Sequence, residues 1–567
     1  MNIPPHVASW ALGRVWERDN PPAEFTQLVK QYERMPARQR RTLSAEPISI
    51  GAAIIGVFTA TAVPAAVSWA VGTAVLIGAS IAVNYAASAL MQKSGSGPIA
   101  TSQYAAETAV NSTAIKYNER QPIPSKRIIY GTAQVGGALF FEEVKPPYLY
   151  QGWLICAKKI ASFRKMWIGT QEIAFQSLVP NTILTPIAVY GQPNFPGRLK
   201  VSLRLGDANQ AIDPILAADF PDLDPEFRQR GIATAVVRYH YGADYTEYTE
   251  LWGQSSRPNP YFLVDGVAVP DPRRPGHVLE FDPSDDAAVA AAEATWEFSN
   301  NATLIQAHYL TQRYGGRIDP RRFDWAKTAV AADWDDGLVW CLDGTYIRRH
   351  TIDGVVTLNQ SPANIVSGML SANRGMVLQS AGKVWPSSSI PRQPVVTIHD
   401  GLLTGAVDYR AAKPKRDLIN RLKVRFVAED REYQTADGPV LSRDDLKAAD
   451  GELLDATLDL PFTMDHRRAQ RLEKAFLENA RLGKQLVVKC DVLLLANCSE
   501  ELIGNAVTFD SVLFASANGT YLCTDWSFAD NFSSINVSLV GYDAAIETDY
   551  RAAVDEKPFV LAPLDVS

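Results

Sequence analysis

Leu199-Lys200-Val201-Ser202-Leu203-Arg204-Leu205 alternates apolar and polar side chains at every step, the two-residue period of a strand with one face on a core. The same period returns at Leu422, Val424 and Phe426 against Lys423 and Arg425, and at Ile535, Val537 and Leu539 against Asn536 and Ser538. Asn518-Gly519, between Val512-Leu513-Phe514 and Tyr521-Leu522-Cys523, reads as a two-residue hairpin turn because both turn positions need positive φ. Helices are fewer. Asp465 is placed to cap one whose Ala469, Leu472, Phe476 and Ala480 recur at helical spacing, and which stops at Gly483 before a largely apolar strand, Gln485 to Ala496. Two more are expected over 287–298 and 363–370. The class is α+β, predominantly β, with short amphipathic helices packed on barrels or sheets.

Toward the N-terminus the pattern changes. Between Glu46 and Lys93 no side chain is charged, and Pro64 interrupts the run. A membrane span needs about twenty apolar residues, and this run is about twice that, so it reads as a helical hairpin over 46–93. Ala, Gly, Ser and Thr outnumber Ile, Leu and Phe in it, which suits close helix-to-helix contact better than lipid. Ile54, Phe58, Pro64, Val67, Trp69, Leu76, Ile81 and Tyr85 are its candidate plug or membrane-contacting residues. The competing reading is a plain anchor oriented by Arg34, Arg38, Arg40 and Arg41. A charged arm over 1–45, with Glu17, Asp19, Glu24 and Glu33, argues against a cleaved export signal. Ser94-Gly95-Ser96-Gly97-Pro98 opens a flexible linker over 94–125.

The chain has 567 residues, enough for about three to five domains. With 21% charged and 47% hydrophobic residues its composition is globular, and a formal net charge of −7 argues against a general nucleic-acid-binding surface. The five cysteines, Cys156, Cys341, Cys490, Cys498 and Cys523, lack metal-ligand spacing and read as buried thiols, although Cys490 and Cys498 flank one apolar stretch where a pairing is conceivable. Seven scattered histidines form no metal motif, and no cofactor is implied. Gly136-Gly137 is followed by strand-like sequence rather than a phosphate-binding helix, and reads as a bulge or tight packing point. Asp282, Asp285 and Asp286 form an acidic cluster, either a solvated turn or a cation site. Too many Asp and Glu are present to select a catalytic pair, so sequence gives an enzyme reading no support.

Several stretches in order resemble one family, the tail-tip central hub proteins of long-tailed bacteriophages, the lambda-type host-specificity or tip attachment protein J family, here in a short form. They cover roughly 127–550. Tyr130-Gly131 runs into Val135-Gly136-Gly137, with Met166-Trp167-Ile168-Gly169 after it. Arg230-Gly231-Ile232-Ala233 follows, then Val264-Asp265-Gly266 and Asp271-Pro272-Arg273, then Asn300-Asn301 ahead of Tyr309-Leu310 and Tyr314-Gly315. Later pieces are Tyr346 to Val356 with Asp353-Gly354, Gly382-Lys383-Val384-Trp385, Asn420 to Val424, and Ala469-Gln470-Arg471. Val269-Pro270 stands where the family carries a Tyr before Asp-Pro-Arg, and the family's long C-terminal receptor-binding modules have no counterpart.

The resemblance implies a structural virion protein without enzymatic activity, made in the host cytoplasm and carried at the distal end of the tail. It implies a homotrimer with tail-tube-like β-barrels that joins the tail tube to the tip, closes the channel and opens for DNA ejection. Implied partners are the distal tail protein ring, the tape-measure protein and other tip and fibre proteins; the hairpin adds the host membrane, and no specific nucleic-acid binding is expected. The expected division is a first barrel region over 126–275, an α/β hub domain over 276–375, a second barrel region over 376–465, and a C-terminal helix with a sheet over 466–567. A membrane-anchored β-rich surface protein and a tail-associated peptidoglycan hydrolase are the competing functions.

Overall fold

The strand quoted first is covered on both faces. In the computed structural model Leu199–Arg204 is the fourth strand of a five-stranded sheet, in the order Ala138–Lys145, Tyr148–Cys156, Ala233–His240, Leu199–Arg204, Ile183–Leu184. Val201 and Leu203 face the main core, but Ser202 and Arg204 are buried as well. The helix Pro214–Asp219 lies over the outer face, where Ile215 and Leu216 pack with Tyr150 and Val236. There Arg204 donates to the Ile212 carbonyl at 2.8 Å, and the charges of Asp213 and Asp207 oppose the lowering of its pKa by burial. Alternation therefore located the strand but not its second cover.

The structure describes residues 91–92, 118–120, 124–189, 195–242, 245–252, 257–431, 433–529 and 532–559. All of them belong to one unit, Ser80–Ser567; a second, Met1–Ala79, lies outside the described residues. So does nearly all of the expected hairpin. Its last residues, Met91–Gln92, pair as a strand with Leu458 and Thr457 where a helix was expected.

A four-stranded sheet, in the order Thr132–Val135, Pro260–Asp265, Ser162–Ile168, Gln171–Ile173, faces the five-stranded one. Phe163, Met166, Phe262 and Val264 from it share one core with Leu149, Trp153, Val237 and Tyr239 from the other, the arrangement of two sheets closing on each other's apolar sides. Gly136-Gly137 is the corner where the chain passes from one sheet to the next. A Cβ on Gly137 would stand 2.6 Å from Trp153 Cβ, so this is a packing point as its sequence suggested.

Against this core lie three helices, Ala302–Thr311, Trp325–Asp336 and Pro362–Ser371. All ten residues of Ala302–Thr311 are buried, as expected for a helix without a polar face at the centre of a domain. The expected helix over 287–298 is shorter, Asp286–Glu293, capped by Asp285, and Glu297–Phe298 turns into a strand paired with Ala268–Val269. The acidic cluster is used locally: Asp282 accepts from Ser284, and Asp286 pairs with Arg313.

Beyond residue 390 two units interleave. Pro394–His399 and Leu403–Arg410 stand at opposite ends of a six-stranded sheet whose inner strands are Ala506–Asp510, Gly519–Ala529, Ser534–Gly541 and Gln485–Asp491. Only Asp400–Leu402 separates the two end strands, so the sheet must curl until its edges meet at that corner. The curl is barrel-like, though no register pairs the two edges with each other among the described residues. The intervening segment forms its own layer. Arg421–Ala428 and Asp455–Leu460 run parallel, and the helix His466–Arg481, capped by Asp465, buries Ala469, Leu472, Phe476 and Ala480 on them. A division expected at 465/466 thus falls between this helix and the strands it covers. On the other face Arg421 pairs with Asp455 and Arg425 with Asp459, each directly across the ladder.

Two local expectations fail for identifiable reasons. Asn518 has φ −57° and Val512-Leu513-Phe514 is not a strand; the connection is a longer loop from Ser511 to Asn518, tied down because Ser511 and the Val512 N–H donate to Asp400. The strand from Gln485 ends at Asp491, whose carboxylate accepts from Leu493 N and starts the short helix Leu493–Asn497. All five cysteines are free, Cys490 and Cys498 included.

Within the helix His466–Arg481, Glu473 is buried, and desolvation pushes its carboxyl from 4.5 up to about 8. The folded chain then keeps this proton between those pH values while the unfolded chain releases it, so stability falls as pH rises through the window, by about 1.4 kcal/mol per unit at most. Glu473→Gln is expected to remove this loss. In urea titrations its advantage over the parent chain should grow from pH 5 to pH 8; a constant difference would contradict the assignment.

Candidate functional site

Five of the ten signature residues, Tyr130, Gly131, Gly266, Asn300 and Asn301, meet at a buried seam where the four-stranded sheet adjoins the start of the central helix. Gly131, at φ +61°, presses against Ile352 O and Asp353, where a Cβ would lie 2.2 Å from that carbonyl. Gly266 meets the same segment from the other side. Its N–H donates to Gly131 O at 2.8 Å, Val267 N donates to Ile129 O at 2.9 Å, and a Cβ on Gly266 would stand 2.1 Å from Ile129 O. Only glycine permits this approach of backbones. Asp353 ties the seam laterally, accepting from Thr132 N at 2.9 Å and Thr351 Oγ1 at 2.8 Å. Asp265 does so one residue before Gly266, accepting from Thr132, Ser162 and Arg164.

Asn300 and Asn301 start the central helix at this seam. Asn300 O accepts from Ile352 N, and Arg348 donates to Asn300 Oδ1. Asn301 Oδ1 caps the helix by accepting from Leu304 N, while its amide donates to Ala332 O at 2.8 Å. Tyr130 is buried with its hydroxyl 2.9 Å from His308 Nδ1 and 3.2 Å from Tyr314. Burial pushes His308 down to about 3, so its ring is neutral.

Next to the seam, Asp335 is fully buried and accepts from Thr303 N at 2.9 Å, Thr303 Oγ1 at 2.6 Å, His350 Nδ1 at 2.9 Å and Ser388 Oγ at 2.5 Å. Serine, histidine and aspartate together have the composition of a hydrolase triad, but not its wiring. Ser388 donates to the carboxylate rather than to the imidazole, and both meet the same ring nitrogen, Nδ1, at 3.4 Å and 2.9 Å. All three side chains are buried, and the group ties three elements together as a structural knot. Desolvation, against the opposing pull of Asp335, brings His350 down to about 4.

Asp271-Pro272-Arg273 sits apart from the seam, at the C-terminal end of Trp325–Asp336. Arg273 forks onto Asp271 and reaches Asp333 and Asp336, both at 2.9 Å. Two carboxylates at a helix C-terminus oppose its dipole, and Arg273 offsets them. Burial works against ionisation of Asp271, but the Arg273 hydrogen bonds override it and hold its carboxyl below the usual range. Gly136 and Gly137 lie at the sheet corner. Ile54, Phe58, Pro64, Val67, Trp69, Leu76, Ile81 and Tyr85 lie outside the described residues. Among the described residues no cluster of His, Cys, Asp or Glu has the makings of a metal site, and no helix is long and apolar enough to cross a membrane. Sequence reasoning missed Asp335, Ser388 and the roles of His308 and His350, because each acts through contacts far along the chain.

Over 76% of its length the chain is similar in fold to 88% of a chain in the virion of a native gene transfer agent particle, with a TM-score of 0.50 at 14% sequence identity. The fold is one that a virion uses. Looser likenesses, at TM-scores of 0.27 and 0.25, link 75% and 74% of the chain to 95% each of the 43 kDa tail protein of prophage MuSo2 from Shewanella oneidensis and of prophage tail protein gp18 from Listeria monocytogenes EGD-e, at 8% and 10% identity. No family model and no curated protein matches the sequence.

Gly266→Ala is expected to abolish soluble expression, because a backbone carbonyl cannot retreat from the new methyl. Gly451→Ala, at φ +76° but in open space, should cost only about 1 kcal/mol and remain soluble. Tyr130→Phe should lower unfolding stability by about 1–3 kcal/mol by leaving His308 Nδ1 without its partner, measured by chemical denaturation; an unchanged midpoint would show that the bond contributes nothing.

Proposed function

We propose that the chain is a structural component of a phage-type virion tail: the central hub of the tail tip, acting as a homotrimer that joins tube to tip, closes the channel and opens for DNA ejection. The observation that carries this reading is the similarity in fold, over most of both chains, to a gene transfer agent virion component. The ordered signature residues support it, since Tyr130, Gly131, Gly266, Asn300 and Asn301 occupy one seam on which the sheets and helices depend. Curling of the six-stranded sheet supports it too, because closing sheet edges is how a tube-forming subunit avoids uncontrolled strand pairing.

Surface chemistry points the same way. Val512 and Leu513 are 88% and 76% exposed on a loop tied to Asp400 by hydrogen bonds from Ser511 and the Val512 N–H. Leu338, Trp340 and Tyr346 lie exposed on the hairpin of Leu338–Trp340 and Tyr346–Arg348. Apolar groups fixed in solvent are what subunit contacts require. In this reading the residues from Ile54 to Tyr85 plug the tip or meet the tape-measure protein, and enter the host membrane on ejection.

Light scattering of the purified chain is expected to give three times the chain mass, and negative-stain images a threefold ring around a channel. Leu513→Asp should leave the melting temperature nearly unchanged, as surface substitutions do, while weakening assembly. A monomer at all concentrations would overturn the proposal.

A further inference from the structure

One cleft among the described residues is lined by four cations, Arg349, Arg374, Arg471 and Lys474, against a single carboxylate, Glu547. Two of the cations are already matched: Arg374 pairs with Glu547 at 2.9 Å and Lys474 with Asp555 at 2.9 Å. Arg349 and Arg471 make no ion pair among the described residues. Arg471 is only 7% exposed and donates to the Arg349 carbonyl, while the Arg349 guanidinium lies 4.0 Å from the Trp334 ring centre. Burial, reinforced by the neighbouring charges of Arg468 and Arg349, brings Arg471 down to about 9. A buried guanidinium without a counter-charge is costly, and proteins rarely leave one so.

A second observation is independent of charge. Arg349 Nε, Trp334 Nε1 and the Tyr550 hydroxyl are buried polar atoms without any hydrogen-bond partner, and all three residues line this cleft. Buried donors are ordinarily satisfied. Three orphaned donors beside the unmatched Arg471 guanidinium, with Arg349 attracted only at longer range by Asp335 and Glu547, ask for a ligand rich in acceptors and negatively charged. The cleft is partly open, and its water-accessible space, about 20 Å³, is small, so it admits one compact terminal group rather than a whole nucleotide or sugar. Guanidinium forks match the oxygens of carboxylate and phosphate.

We infer that this cleft is an anion site that takes one carboxylate or phosphate group, bound by Arg349 and Arg471 with Trp334 and Tyr550 as further donors. The inference does not rest on the tail-tip reading. Free phosphate and a carboxylate presented by a neighbouring subunit share this chemistry, and they differ in the shape of the group.

Calorimetric titration of the purified full chain with inorganic phosphate, and separately with acetate, tests it at ionic strength held constant with chloride. Saturable binding with a rise in melting temperature is expected in at least one arm. Preference for phosphate marks a free tetrahedral ion; preference for acetate marks a carboxylate borne by a neighbour. Arg349→Gln and Tyr550→Phe, each first checked for an intact fold by circular dichroism, should weaken binding by about tenfold or more, the usual loss of a hydrogen bond to a charged group. Absence of saturable binding in both arms, or affinities unchanged in both variants, would overturn the assignment whatever the oligomeric state.

Discussion

A carboxylate removed from water must find its hydrogen bonds inside the protein, and Asp335 finds them on the central helix, on the segment carrying His350, and on the strand end carrying Ser388. Asn373, after the helix Pro362–Ser371, adds a longer contact at 3.5 Å. None of these elements is adjacent in sequence to another. An uncompensated buried charge would cost several kcal/mol, so the elements are held to one relative arrangement. The burial of every residue of Ala302–Thr311 depends on that arrangement, because the helix has no face suited to solvent.

From this anchor the seam of Gly131 and Gly266 extends the order into the sheets. Two backbones touch there without intervening side chains, which fixes the spacing of the strand ends at Gly131, Gly266 and Ile352 more tightly than apolar packing would. Side-chain cores tolerate repacking, whereas a carbonyl 2.1 Å from a would-be methyl does not.

The C-terminal part solves a different problem. A six-stranded sheet with free edges would invite unwanted pairing. Curling brings the edges together at Asp400–Leu402, and the same Asp400 that marks the corner holds the loop from Ser511. The parallel strands at 421–428 and 455–460 are inserted between two strands of that curl, with their charge ladder outward and the helix His466–Arg481 on their apolar side. The basic cleft forms on this helix, where Arg471 and Lys474 meet Arg349 and Tyr550.

Several features were legible in the sequence because short-range periodicity and capping govern them. The strands around Val201, Val424 and Val537, and the helix capped by Asp465, follow from spacing and from a side chain's reach to the next few N–H groups. Gly136-Gly137 was legible as a close approach, although not as a corner between sheets. Other features required tertiary structure. Ser202 and Arg204 are buried only because a helix from residues 214–219 folds over them; Asn518-Gly519 lost its tight turn to the pull of Asp400; Asp335, Ser388 and His350 became one knot only through contacts spanning up to 53 residues. Sequence by itself determined where backbone period and caps act, since those forces reach a few residues; which polar groups would be sealed from water together was decided by the folded chain, because desolvation depends on everything packed around a group.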